Sequence, residues 1–297
     1  MTKRQRRILG HIGRYATLSL WLLLILFPIF WSVMTSFKPQ DEWLTWPPTW
    51  VPRPFTLENY WIVWLGGSTA GTQVANPTAV QSASIQTPLT ALVHSGLIAG
   101  ISTLLSVAFG VILAYGVSRY QIVPEQRLFN LLMLRMIPPI VVAVPLVMYY
   151  STIRLRDTHA GLILVYTITT LPYAVWMAKS FIDEIPVEIE QAAYLLKAGR
   201  LRTLSEVVFP LIRPGVVATF LFILILTWSE YLLALVLSAT NVSTLPVQLN
   251  KYEGATEGKL YGWQAALSVG VTFPLVVIGY LIHKHLVRGF SFGMLKR

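Results

Sequence analysis

Six apolar stretches dominate the 297-residue chain, near residues 15–37, 90–117, 128–152, 160–178, 216–238 and 263–282. Each is close to or above the about 20 residues that an α-helix needs to cross ~30 Å of hydrocarbon. No water in the bilayer core can satisfy a backbone N–H or C=O, so a span of this kind must be helical. The sequence therefore predicts an all-α polytopic membrane protein with six transmembrane helices. Charged residues make up 12% of the chain and the mean hydropathy is +0.60, whereas soluble domains carry about 25% charge. That excludes an ordinary soluble globular protein, and the length leaves no room for a large soluble domain beside six spans. Gly96, Gly100, Gly110, Pro138, Pro139, Pro145, Pro172 and Pro274 fall inside the stretches and predict kinked helices whose freed backbone groups are satisfied by neighbours. The first stretch is too long for a removed signal peptide and lacks a small-residue cleavage site, so it reads as a retained anchor. With no Cys, the chain has no disulfide framework, thiolate metal site or thiol nucleophile.

The chain carries a formal net charge of +10, and the placement of its cations explains that excess. Lys3, Arg4, Arg6, Arg7 and Arg14 precede the first stretch, and Lys284, Arg288, Lys296 and Arg297 follow the last. Six crossings put both ends on one side, which the positive-inside rule makes the cytoplasm. Of 23 Lys and Arg, sixteen then fall in inside segments, six in outside segments, and Arg135 within the third stretch. This bias accounts for the basic balance without nucleic acid. The domain reading is a cytoplasmic segment 1–14, a six-span region 15–285 and a cytoplasmic tail 286–297.

Two loops are long. The outside loop 38–88 holds Trp43, Trp46, Trp50, Trp61 and Trp64 in its first half, followed by a Gly/Ser/Thr/Ala/Gln stretch at 66–86 with little to build a core from and an expected flexibility. The tryptophans suit either an aromatic belt at the headgroups or a partner surface. The inside loop 181–214 reads FIDEIPVEIEQAAYLLKAGRLRTLSEVVFPLIRP. Pro186 suits a helix first turn, Glu188 and Glu190 lie where the N-terminal dipole favours acid, and Ile189, Ala192, Ala193 and Leu196 recur at helical spacing. Gly199 is placed to end this helix by a left-handed turn, residues 201–208 to form a second piece, and Pro210 and Pro214 to break the chain back into the bilayer. A helix too short and polar to span must lie on the membrane or dock into another protein.

This loop resembles the permease subunits of bacterial ATP-binding-cassette (ABC) importers, whose cytoplasmic loop carries the EAA motif: Glu-Ala-Ala, three residues, Gly, nine residues, then Ile-x-Leu-Pro. Gln191, Ala192 and Ala193 fall on the first three positions, Lys197 on the Gly, Val207 and Phe209 on the Ile and Leu, and Pro210 on the Pro. The spacing is intact, but Gln191 stands for the Glu, with Glu190 beside it, and Lys197 for the Gly, which moves the expected turn to Ala198-Gly199. The segments TSFKPQDEW, WPPTWVPRPFTLENY, RMIPP, GLILVYTITTLPYAVW, WSEYLLAL, STLPV and HLVRGF resemble the second permease of carbohydrate importers of the maltose type. The likeness covers nearly the whole chain except 66–86. It implies the type I importer permease fold. It also implies a second permease subunit as heterodimer partner, a dimer of ATPase subunits that hold ATP and Mg2+, and an extracytoplasmic solute-binding protein, in a bacterial or archaeal plasma membrane. The loop helix becomes the coupling helix, with Glu188, Glu190, Gln191, Ala192, Ala193, Leu196, Lys197, Ala198, Gly199 and Pro210 as coupling residues.

Glu230 is the sole acid within the apolar stretches, and an ionisable group there faces a partner or an aqueous path. It suits hydrogen bonds to substrate hydroxyls beside the aromatic faces of Trp228 and Tyr231, or a structural pairing with Arg135 or the second permease. Arg135 itself reads as a snorkelling anchor. His94, His159, His283 and His285 show no spacing for a metal, so neither a metal site nor a catalytic residue is expected. G-x-x-x-x-G-K-[ST], H-E-x-x-H and G-x-S-x-G are absent from the sequence, which assigns ATP hydrolysis to partner subunits and no cofactor to this chain. The resulting expectation is an importer permease for sugars or sugar-like solutes. The alternatives are an amino acid, peptide or phosphorylated polyol as solute, an intramembrane enzyme built on Glu230, or a scaffold.

Overall fold

The computed structural model describes residues 3–65, 87–134, 138–251 and 260–292, among which there is no β-strand. The helices are α1 (Lys3–Ser36), α2 (Glu58–Leu65), α3 (Pro88–Tyr120), α4 (Glu125–Leu134), α5 (Pro139–Thr152), α6 (His159–Asp183), α7 (Val187–Leu195), α8 (Arg200–Thr203), α9 (Phe209–Trp228), α10 (Leu232–Leu237), α11 (Leu245–Lys251) and α12 (Tyr261–Phe292). A 3-10 turn lies at Gln40–Glu42 and a π turn at Leu204–Val208. Among the described residues, five helical runs are long and apolar enough to cross a membrane: His11–Ser36, Pro88–Tyr120, His159–Asp183, Arg200–Trp228 and Tyr261–Leu281.

Two of the expected spans take a different form. The third divides into α4 and α5, because Pro138 forms the N-cap of α5 and Pro139 opens its first turn. A proline offers no N–H to a preceding turn and disfavours helical backbone at the residue before it. The 14 residues of α5 reach only about 21 Å at 1.5 Å per residue. Arg135 lies outside the described residues, as does the 66–86 stretch expected to be flexible. The fifth span begins well before Val216 and passes straight through Pro210 and Pro214, which were expected to break it. Pro210 stands in the first turn of α9, directly after the π turn. The i→i+5 geometry there leaves room where a tight turn would press the proline ring onto the carbonyl of Glu206. The same helix stops at Trp228 and resumes only at Leu232.

The chain forms two compact units, one from the residues up to Pro88 with Leu249–Thr272, the other from Leu89–Gln248 with the residues from Phe273 onward. In the first, the segment after α1 is held by main-chain carbonyls. Asn59 Nδ2 donates to Ser36 O at 2.9 Å and to Lys38 O at 2.8 Å, and Trp43 Nε1 donates to Lys38 O at 3.1 Å. Lys38 is fully buried with its ammonium 4.1 Å from the Trp31 ring centroid. Burial pushes its pKa below the ordinary lysine range, against the Glu42 carboxylate, which raises it. Trp43 meets Trp263 edge-on and Trp64 Nε1 donates to Ala266 O at 3.4 Å, an approach that requires Gly270, where a Cβ would strike the Trp64 ring. Trp46, Trp50 and Trp61 remain exposed, Trp46 at 91%. The tryptophan-rich segment thus divides into two indoles packed against the 263–270 stretch and three more exposed ones, of which Trp50 meets Trp31 edge-on at 5.9 Å.

In the second unit, two apolar clusters are separated by a layer of hydroxyls. One cluster includes Val111, Ala114, Tyr115, Ala174, Ala178, Ile182, Leu204, Val208 and Ile212. The other includes Ile98, Tyr150, Leu162, Tyr166, Leu233 and Leu237. Between them Thr103 meets Thr227 at 3.1 Å and Thr170 donates to Ser106 at 3.0 Å. Helices inside a bilayer gain no hydrophobic drive from meeting each other, so close packing of small residues and hydroxyl pairs holds them. Gly110 makes the approach of α3 to α6 possible, since a Cβ there would lie 2.5 Å from the Ala174 Cβ.

Candidate functional site

The loop 181–214 opens on Pro186 as N-cap and forms α7 over Val187–Leu195, at the place the sequence predicts. Its faces are inverted relative to a surface helix. Glu190 is 2% exposed, whereas Leu195 and Leu196 at its end and Leu201 in α8 are 85%, 84% and 79% exposed. Glu188, Gln191 and Ala192 are exposed as well, and Ala193 and Ala198 are half-buried.

Helix α7 ends one step earlier than expected. Lys197 itself adopts the left-handed conformation, with φ 62°, while Gly199 is extended at φ −73°, ψ 164° as the N-cap of α8. Ala198 N donates to Ala193 O at 3.1 Å and Lys197 N to Tyr194 O at 2.9 Å, the paired bonds of a Schellman turn. The turn therefore did not move to Ala198-Gly199. Two backbone hydrogen bonds hold a lysine where glycine is preferred, at a steric cost of about 1–2 kcal/mol.

The buried Glu190 is bound from the end of α3. Arg119 Nε donates to its Oε1 at 2.6 Å and Tyr115 O–H to its Oε2 at 2.8 Å. Arg119 Nη2 donates to Ile182 O at 2.8 Å and Ile185 O at 2.9 Å, which satisfies carbonyls where α6 ends and places a cation at its negative dipole end. Tyr194, one turn beyond Glu190, meets the hydroxyls of Tyr115 at 3.1 Å and Tyr120 at 3.2 Å. The Arg200 guanidinium lies 4.6 Å from the Tyr120 ring centroid. Ser118 donates to Asp183, which also pairs with Lys179 at 2.6 Å. Glu190, read from the sequence as an acid at a helix start, is thus an internal anchor. Tyr115 and Arg119 escaped the sequence reading, although their i,i+4 spacing at a span end beside an acidic loop is a visible signal.

Glu230 sits in the interruption between α9 and α10 rather than inside a continuous span. Its Oε1 accepts from Leu233 N at 3.1 Å, and its backbone O accepts from the Tyr166 hydroxyl at 3.4 Å. It caps the short helix that follows, with Trp228 buried before it and Tyr231 half-buried after it. Non-helical backbone at membrane depth is tolerated where it is buried in protein or lines a watery cavity. Near this end of the unit His94 and His159 meet edge-on at 4.6 Å. Among the described residues no group of three or more His, Asp or Glu is placed to hold a metal.

Asp157, just before α6, holds the segment after α10. Its carboxylate accepts from the backbone N–H groups of Ala239 (2.8 Å), Thr240 (3.0 Å), Asn241 (2.9 Å) and Val242 (3.0 Å). Burial alone would raise its pKa, but the four donors together hold it below the ordinary carboxylate range.

Helices of spanning length, one interrupted beside an acid, and a loop with leucines turned outward define a polytopic membrane component built to work against other proteins. A model of the family described as binding-protein-dependent transport system inner membrane component matches residues 106–292. The chain belongs to this family and is a multi-pass permease component of an ABC importer. It is 30% identical to the inner membrane ABC transporter permease protein YcjP of Escherichia coli, over 98% of each chain. It is also 30% identical to the sulfoquinovosyl glycerol transport system permease protein SmoH of Agrobacterium fabrum, over 97% of this chain and 94% of the relative. The trehalose/maltose transport system permease protein MalG of Thermococcus litoralis is 29% identical, over 98% and 97%. Among solved structures, a bacterial ABC transporter involved in the import of the acidic polysaccharide alginate matches with a TM-score of 0.70 and 18% identity, over 96% of this chain and 98% of that chain, a likeness of fold.

Proposed function

We propose that this chain carries a sugar or sugar-like solute inward by alternating access. In this reading it is paired with a second permease subunit, driven by a dimer of ATPase subunits that hold ATP and Mg2+, and supplied by an extracytoplasmic binding protein. Both termini and the loop 181–214 face the cytoplasm, as the charge bias supports. The observation that carries the coupling is the exposure of Leu195, Leu196 and Leu201 on a loop whose Glu190 is turned inward. Large apolar side chains offered to water on a cytoplasmic loop mark a docking surface. The carbohydrate solute is supported by the sulfoquinovosyl glycerol and trehalose/maltose transport for which two of the relatives are named. Glu230 at the helix interruption, with Trp228 and Tyr231 beside it, suits a path for hydroxyl-rich solutes.

The test is a mild-detergent pull-down of the tagged chain from its host's membranes, with the co-purifying proteins identified and the recovered binding protein screened against sugars. A nucleotide-binding subunit and a second polytopic permease are expected. With Leu195→Asp and Leu196→Asp together, the chain is expected to stay in the membrane and lose the nucleotide-binding subunit. Retention at the unmodified ratio overturns the docking role. Glu230→Ala is expected to lower uptake while assembly persists; unchanged uptake at limiting sugar removes Glu230 from the path.

A further inference from the structure

We propose that the last turns of α3 and the loop helix α7 move as one rigid lever through the transport cycle, with Arg119 and Glu190 as its positioning residues. The inference rests on the docking of α7 described above and names where the motion goes. Helix α7 is joined covalently to α6 through residues 184–186 and to α8 through residues 196–199. Its side-chain bonds, however, run to a third element. Glu190, Tyr194 and Arg200, at successive points of the loop, all meet Tyr115, Arg119 or Tyr120 at the end of α3.

The joint at Glu190 is built to resist separation. The carboxylate is buried and takes a charged donor on one oxygen and a hydroxyl on the other, so pulling α7 away would strand a charge on each side. Arg119 is fixed in turn by two carbonyls where α6 ends, so its position does not depend on Glu190 alone. A push on the leucine tip then passes into α3, a helix of 33 residues, rather than being absorbed in the short turns that flank α7. Contiguous packed side chains and rigid elements are what carry such coupling.

The chain has no Cys, which allows a direct test in the purified multi-subunit complex. Tyr120→Cys and Tyr194→Cys replace two exposed rings that meet at their hydroxyls and leave the Arg119–Glu190 pair intact. A short bismaleimide is expected to join them equally well, within about twofold, in the nucleotide-free and the ATP–vanadate states, as a rigid element requires. After linking, ATP hydrolysis is expected to continue at no less than about half the rate of the same unlinked variant. Adding Glu190→Ala should lower the linking yield by about tenfold, because the joint opens once Arg119 is left unpaired. Linking in one nucleotide state only, or loss of hydrolysis on linking, overturns the lever. Glu190→Gln is the second variant. It keeps an acceptor for Arg119 and is expected to link better than Glu190→Ala; a yield as low as that of Glu190→Ala overturns the Arg119–Glu190 contact as the joint. Absence of ATP hydrolysis and of any ATPase subunit from the unlinked complex overturns the importer reading instead, and the lever with it.

Discussion

Asp157 and Glu190 are two carboxylates in one compact unit, and each pins a loop, yet they do so by different chemistry. Asp157 accepts four backbone N–H groups from 239–242, donors that almost any residue supplies. Glu190 accepts from two particular side chains, Arg119 and Tyr115. The first arrangement fixes a loop chiefly through its backbone, with one weak side-chain bond from Thr240 Oγ1 at 3.4 Å. The second makes three positions depend on one another, and it lies in the loop assigned to coupling.

Glu190→Ala is expected to show the largest effect, destabilising the unit by about 3 kcal/mol because it takes the paired carboxylate from a part-buried guanidinium. Thermal unfolding of the purified complex reads this. Arg119→Met with Glu190→Leu is expected to recover most of the loss, since a packed apolar pair replaces the ions. A cost below about 1 kcal/mol for Glu190→Ala would erase the contrast with Asp157.

Asp157→Ala is expected to speed hydrogen exchange of the 239–242 amides by about tenfold, with Asp157→Asn intermediate. Thr240→Ala should change little, whereas Thr240→Pro, which removes a donor, should act like part of the aspartate loss. The pH dependence has a fixed sign. A carboxylate whose pKa is depressed by folding gives its full contribution above the ordinary value of about 4 and loses it as pH falls through the depressed one. Exchange at 239–242 should therefore quicken only in acid, and Asp157→Asn should abolish that step. The smallest effect is at Lys197. Lys197→Gly should stabilise the turn by about 1 kcal/mol and Lys197→Val should weaken it by at least as much, read as resistance of the loop to protease.

Hydropathy revealed the helices because each long span carries its own signal. The division of the third span was foreshadowed by Pro138 and Pro139, but a proline pair gives no measure of whether a helix bends or ends. Pro210 misled for the opposite reason, since the π turn that admits it has no mark in the sequence. The EAA spacing located α7 and pointed to residue 197 as the turn, and the side chain there obscured what the backbone does. Arg119 and Glu190 stand 71 residues apart, and a cation at a span end reads first as a topology charge. Asp157 gave no signal at all, because its partners are main-chain N–H groups and one weak hydroxyl donor, Thr240 Oγ1 at 3.4 Å.

The exposed leucines have a bearing on supply as well as on movement. A copy of this chain made in excess of its partners shows Leu195, Leu196 and Leu201 uncovered, the kind of surface by which proteases and chaperones sort orphan subunits. The half-life of the chain is expected to be shorter in cells lacking the nucleotide-binding subunit. Its abundance is then expected to follow the supply of that partner, and the leucines proposed to transmit force in a finished transporter would also serve as the mark of an unfinished one.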